Sequence, residues 1–119
     1  MKRKILVLED DADICNIITY VLSEEGFDTI VLKDEKEIFD IIRMNNPDVI
    51  LLDVVKPTDQ GTELCRAIKA AETTKHIPVI VLSTHAKIEE VKKICADEVV
   101  KKPFDIDFLV HVVKEQLAA

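Results

Sequence analysis

Ile5-Leu6-Val7-Leu8-Glu9-Asp10-Asp11 (ILVLEDD, residues 5–11) runs four apolar residues straight into three acids. Four consecutive aliphatic side chains make a strand that is apolar on both faces, as in a sheet covered on both sides. Adjacent carboxylates repel, and in a low-dielectric site each raises the pKa of the other unless a cation or donor compensates. The stretch therefore predicts a buried central strand with something positive near its carboxyl end.

The same kind of run recurs outward from it. Lys4 to Leu8, Thr29 to Leu32, Val49 to Leu52, Val79 to Leu82 and Val99 to Val100 are β-branched or Leu-rich and of strand length. Helical periodicity fills the gaps. Ile14, Ile17, Ile18, Val21 and Leu22 mark a first helix, stopped at Gly26; Asp11 reads as its N-cap. Asp34 and Glu37 read as a capping box for a second helix with stripe Ile38, Ile41 and Ile42, ended by Asn45-Asn46-Pro47. Leu64, Ile68 and Ala71 mark a third, Ile88, Val91 and Cys95 a short fourth, and Phe108, Leu109, Val112, Val113 and Leu117 a fifth. The pattern is (βα) five times over, an α/β class with a parallel sheet and helices on both faces.

Composition bounds what such a fold does. The 119 residues fit one domain, 1–119; 48% are hydrophobic and 33% charged, and with only 4% aromatic the core must be aliphatic. A formal charge of −7 argues against direct nucleic-acid binding, which relies on clustered Lys and Arg. No apolar run approaches the ~20 residues of a membrane span, and Met1-Lys2-Arg3-Lys4 leads into a run too short for a signal peptide, so no membrane association and a cytoplasmic location are expected. Cys15, Cys65 and Cys95 lack CxxC spacing and read as small buried thiols.

In a doubly wound parallel sheet the site forms outside the carboxyl ends of the strands. That rule gathers Glu9 and Asp10 after the first strand, Asp53 after the third, Ser83 and Thr84 after the fourth, and Lys102 after the fifth. Acids, a hydroxyl and a lysine suit a hard cation and a phosphoryl group. Mg²⁺ takes oxygen ligands, and a carboxylate can act as the phosphoryl acceptor while lysine and hydroxyl stabilise the charge. Asp53 is best placed as that nucleophile. Singly, each residue reads equally as a solvated strand end or a loop cap; the constellation carries the signal.

With these residues in place the whole chain resembles the receiver domain of two-component response regulators, the CheY-like family. The resemblance rests on ILVLEDD, DVILLDVVKPTDQG, PVIVLSTHA and VVKKPF. It implies a flavodoxin-like (βα)5 fold with strand order 2-1-3-4-5. It implies Asp53 as phosphoacceptor, with Lys102 and Ser83 contacting the phosphoryl group. Mg²⁺ would be held by Glu9, Asp10, Asp53 and the main-chain carbonyl of Val55. The partners implied are a sensor histidine kinase or phosphotransfer protein and a downstream effector. The family's lysine precedes a proline, often through a cis bond, as Lys102-Pro103 does. The output is partner binding, so the chain is not expected to be a turnover enzyme.

Two departures concern output. Val99 stands where many receivers carry the aromatic switch residue, and the segment from Thr84 to Cys95 is short, so a familiar receiver dimer is not implied. Lys92, Lys93, Lys101 and Lys102 make this end basic, which reads as a partner surface or as ordinary helix solvation. His85 overhangs the site as a candidate modulator of water access, and Val55, being apolar, cannot orient an attacking water. The alternative from another class is a phosphorylation-independent pseudo-receiver that only binds partners. A nucleotide-binding enzyme is disfavoured: Gly26 and Gly61 are the only glycines, and no GxGxxG exists.

Overall fold

The computed structural model describes residues 2–54, 58 and 61–118. Five strands alternate with helices as the periodicity predicts: β1 (Lys4–Leu8), α1 (Ala12–Glu24), β2 (Asp28–Leu32), α2 (Ile38–Asn45), β3 (Val49–Asp53), α3 (Glu63–Ala70), β4 (Val79–Ser83), α4 (Val91–Ile94), β5 (Glu98–Lys101) and α5 (Ile106–Ala118). The strands pair in parallel in the order β2-β1-β3-β4-β5. This is the expected flavodoxin-like sheet, with the ILVL strand between two neighbours. β3 and β4 each run one residue further than the apolar runs suggested, so Asp53 and Ser83 are the last residues of their strands.

Alternation of side chains along each strand divides the core in two. Leu6, Ile50, Leu52, Val79, Val81 and Val99 face α2, α3 and α4, where Ile38, Ile42, Cys65, Ile68 and Val91 meet them. Ile5, Val7, Val49, Leu51, Ile80, Leu82 and Val100 face α1 and α5, packing on Cys15, Ile18, Leu22, Leu109, Val112 and Val113. Both layers are aliphatic, as the composition required. Among the described residues no helix is long and apolar enough to cross a membrane.

The ends of α1 follow from local chemistry. The Asp11 carboxylate accepts hydrogen bonds from the main-chain N–H groups of Asp13 (2.9 Å) and Ile14 (3.1 Å), satisfying two of the unpaired donors of the first turn. At the other end Phe27 N–H bonds Leu22 O and Gly26 N–H bonds Ser23 O, both at 3.0 Å. This is a Schellman cap, and it needs the φ of +89° that Gly26 supplies.

Two expectations are corrected and a third is narrowed. α2 starts at Ile38 without a capping box: the Asp34 carboxylate accepts from Lys36 N–H at 3.0 Å, closing a turn ahead of the helix, and Glu37 makes no side-chain cap. Ile17 and Phe108, counted among the apolar stripes, are 47% and 49% exposed, because the faces of α1 and α5 that meet the sheet are narrower than the periodic pattern. At the basic end Lys93 and Lys101 are exposed as ordinary solvation requires, Lys92 pairs with Glu98 at 3.0 Å, and Lys102 alone turns inward.

Candidate functional site

The carboxyl end of β1 delivers Glu9 into a place that is 1% exposed. A buried carboxylate is costly unless charged or hydrogen-bonding partners surround it. Here Lys102 Nζ lies 2.8 Å from Oε1, and the Asp11 N–H donates to Oε2 at 3.2 Å. The same ammonium donates to Asp53 Oδ1 at 3.0 Å. One lysine thus spans the acid that follows β1 and the acid that ends β3. Burial opposes the charged form of Lys102, but the hydrogen bonds and charges of Glu9 and Asp53 outweigh it and hold its pKa above the ordinary lysine value.

Sheet register places these groups. Asp53 stands opposite Leu82 in β4, and Ser83 opposite Lys101 in β5. The ladder continues one step past β5, where Lys102 N–H donates to Ser83 O at 2.8 Å. The Lys102–Pro103 peptide bond is cis, as anticipated. Ser83 is buried, and its hydroxyl oxygen accepts the His85 N–H at 3.1 Å.

Asp10 is exposed. It lines a cleft of 260 Å³ together with Leu8, Lys33, Asp34, Glu35 and Asp53. Asp53 therefore faces an ammonium on one side and an acid-lined cleft on the other. Among the described residues no three His, Cys, Asp or Glu side chains are grouped closely enough to enclose a metal. Of the expected metal ligands, Asp10 and Asp53 share the cleft, and Val55 lies outside the described residues, as do Lys56 and Pro57 of the motif. Lys33 and Glu35 on the cleft wall were not anticipated. They follow β2, so the rule about strand ends, applied to β2 as to the other strands, would have found them.

The family model of the response regulator receiver domain matches residues 5–114. The chain belongs to the response regulator receiver family. It is 34% identical to the DNA-binding response regulator MtrA of Mycobacterium tuberculosis, over 98% of this chain and 51% of that protein. The chain thus spans about half the length of the curated relatives it matches. The signal receiver domain of a signal transduction histidine kinase from Syntrophus aciditrophicus superposes with a TM-score of 0.83 at 28% identity, covering 98% and 90% of the two chains. Chemotaxis response regulator CheY4 of Vibrio cholerae shares the fold, with a TM-score of 0.84 at 24% identity over 98% of this chain and all of that one.

Receiver membership also gives the departures a structural meaning. Val99 is 4% exposed and packs with Ile88, Val91 and Ala96 beneath α4, so a buried valine occupies the position of the aromatic found in many receivers. α4 is a single turn preceded by the 3-10 turn Ile88–Glu90, as short as the sequence suggested.

Proposed function

We propose that this receiver is the phosphoacceptor of a two-component phosphorelay, with Asp53 taking a phosphoryl group from a sensor histidine kinase or phosphotransfer protein in the cytoplasm. The observation that carries the reading is Asp53 at the junction of the Lys102 bridge and the Asp10 cleft. A carboxylate oxygen of Asp53 forms the new bond to phosphorus while the bond to the donor's leaving group breaks, and the leaving group keeps the electron pair. Lys102 stays paired with the oxygens on which charge gathers. The aspartyl carboxylate gives up its own charge as it takes on the doubly charged phosphate, so the site gains about −1 net, which Lys102 and the Ser83 hydroxyl would meet.

Oxygen donors on the wall of a cleft suit Mg²⁺, which keeps several waters and uses few protein carboxylates. Asp10 and Asp53 would hold it directly; Glu9, engaged with Lys102, would act from behind that pair, and the main-chain carbonyl of Val55 would be the further donor that receiver membership implies. What Mg²⁺ supplies when bound is neutralisation of charge between carboxylates and phosphoryl oxygens. The output is a change in partner binding, by an effector domain or separate effector, rather than turnover. The −7 charge keeps direct DNA contact away from these residues.

A second reading, a partner-binding module indifferent to phosphorylation, is favoured by the buried Val99, which leaves no aromatic side chain at that position to change orientation. Incubation with phosphoramidate and Mg²⁺, followed by intact mass measurement, separates the two. One added phosphoryl group in the wild type, absent in Asp53→Ala and after chelation of the metal, is expected. No mass gain, or an equal gain in Asp53→Ala, refutes the phosphoacceptor reading.

A further inference from the structure

One face of α3 meets the chain that joins α4 to β5. Cys65 and Lys69 lie one turn apart on that face, and Lys69 Nζ pairs with Asp97 Oδ2 at 2.9 Å. Asp97 is fixed in turn: its carboxylate accepts the Val79 N–H at 2.8 Å, and its own N–H donates to Val79 O at 2.9 Å. Two residues earlier Cys95 closes α4, donating its N–H to Val91 O at 2.9 Å, and packs on the core cluster that holds Cys65. The two thiols are hydrogen-bonded to each other. They differ in access, for Cys65 is 1% exposed and Cys95 is half-buried. Burial raises the pKa of both, but the bond from Cys65 and the charge of Arg66 favour the Cys95 thiolate, while the same bond disfavours that of Cys65. Cys95 is therefore the sulfur that an oxidant reaches and the better nucleophile of the two.

We propose that Cys65 and Cys95 are a redox pair, oxidised by peroxide to a disulfide that staples α3 to the end of α4. The Cys95 thiolate attacks one oxygen of hydrogen peroxide; an S–O bond forms, the O–O bond breaks, and the hydroxide that leaves takes up a proton as water. Cys65, as thiolate, then attacks the Cys95 sulfur. The S–S bond forms, the S–O bond breaks, and the departing hydroxide takes the proton that Cys65 gave up, leaving as a second water. Two thiols lose two electrons, and one peroxide is reduced to two waters. Because burial keeps the thiolates scarce, the pair responds to sustained oxidant rather than to traces, and a thiol reductant reverses it. In a reducing cytoplasm such a bond is transient. α4 is a single turn, so a covalent tie at its end restrains the whole element. The inference uses neither Asp53 nor a metal and stands apart from the phosphoacceptor reading.

The test uses the 119-residue chain without phosphoryl donor or metal. The chain is treated with hydrogen peroxide, denatured, labelled with a maleimide, and examined by intact mass and by peptide mapping without reductant. The wild type is expected to lose two hydrogens and to leave only Cys15 open to the label, where the reduced chain labels at all three cysteines. It is also expected to yield a linked Cys65–Cys95 peptide that dithiothreitol removes. Cys65→Ser leaves Cys95 without a partner and is expected to hold a sulfenic acid there that dimedone traps; Cys95→Ser is expected to keep Cys65 reduced. Amide exchange at Cys95 and Ala96, whose N–H groups both bond Val91 O, is expected to slow on oxidation in the wild type alone. A wild type that stays reduced, that reaches sulfinic acid at Cys95 with no linked peptide, or that joins Cys15 or a second chain instead overturns the pair, as does oxidation of Cys65 in Cys95→Ser. Cys65→Ser puts a hydroxyl in the core; if circular dichroism shows it unfolded, Cys95→Ser at the half-buried position decides alone.

Discussion

Glu9 shows how one residue fixes the electrostatics of the site. At 1% exposed it depends on Lys102, whose side chain is itself 9% exposed. Removing one partner from a buried ion pair leaves the other charge without compensation, and the loss exceeds what the intact pair contributes. Lys102→Met is expected to lower unfolding stability by about 3 kcal/mol, measured by urea denaturation. Adding Glu9→Gln to that variant removes the stranded charge and is expected to recover part of the loss; a double variant no more stable than Lys102→Met would contradict this account of Glu9. The acids of ILVLEDD announced a nearby cation, and the sequence placed Mg²⁺ there with Lys102 beside it. In the fold it is the ammonium that meets Glu9 directly, while Asp10 looks into the cleft.

Among the elements, α1 is the one whose two ends are most legible, because a carboxylate at Asp11 and a positive φ at Gly26 are local requirements. Asp11→Ala should cost about 1 kcal/mol in urea denaturation, and Asp11→Asn much less, since both Asp and Asn accept from the first turn. Equal losses in the two variants would mean that the carboxylate's charge, rather than its cap geometry, matters. α2 is the counterexample. Its Asp34 and Glu37 have capping-box spacing, yet Asp34 closes a turn with Lys36, and regular helix begins at Ile38, where the chain enters the core. Local preference allows both arrangements, and burial of Ile38 goes with the later start.

Across the whole molecule, burial sets the chemistry of the cysteines. Cys65 on α3 is pushed well above the ordinary thiol pKa, first by burial and then by a hydrogen bond with the Cys95 thiol; burial raises Cys95 and Cys15 as well. Iodoacetamide at pH 8 should therefore alkylate half-buried Cys95 first and leave Cys65 intact until the chain unfolds, as mass spectrometry of timed samples would reveal. Rapid modification of native Cys65 would contradict its place in the core. The sign of the pH effect follows from the same shift. The folded thiols keep their protons to higher pH than the unfolded ones, so their contribution is whole below about pH 8.5 and is lost as pH rises beyond it.

The sequence by itself determined the alternation of strands and helices and the identity of the residues at the carboxyl ends of the strands. Both depend on short-range periodicity, on stops such as Gly26 and Pro47, and on the parallel direction that βα units impose, which sends every strand's carboxyl end to the same rim. Only the tertiary structure decided which groups meet there. Glu9 and Lys102 are 93 residues apart in sequence, and their contact depends on strand order and register rather than on any local preference. The same holds for the inward turn of Lys102, the exposure of Ile17 and Phe108, and the pairing of Cys65 with Cys95. Partner choice is a property of packed space, where desolvation makes an unpaired charge costly and so selects one arrangement among those the local sequence allows.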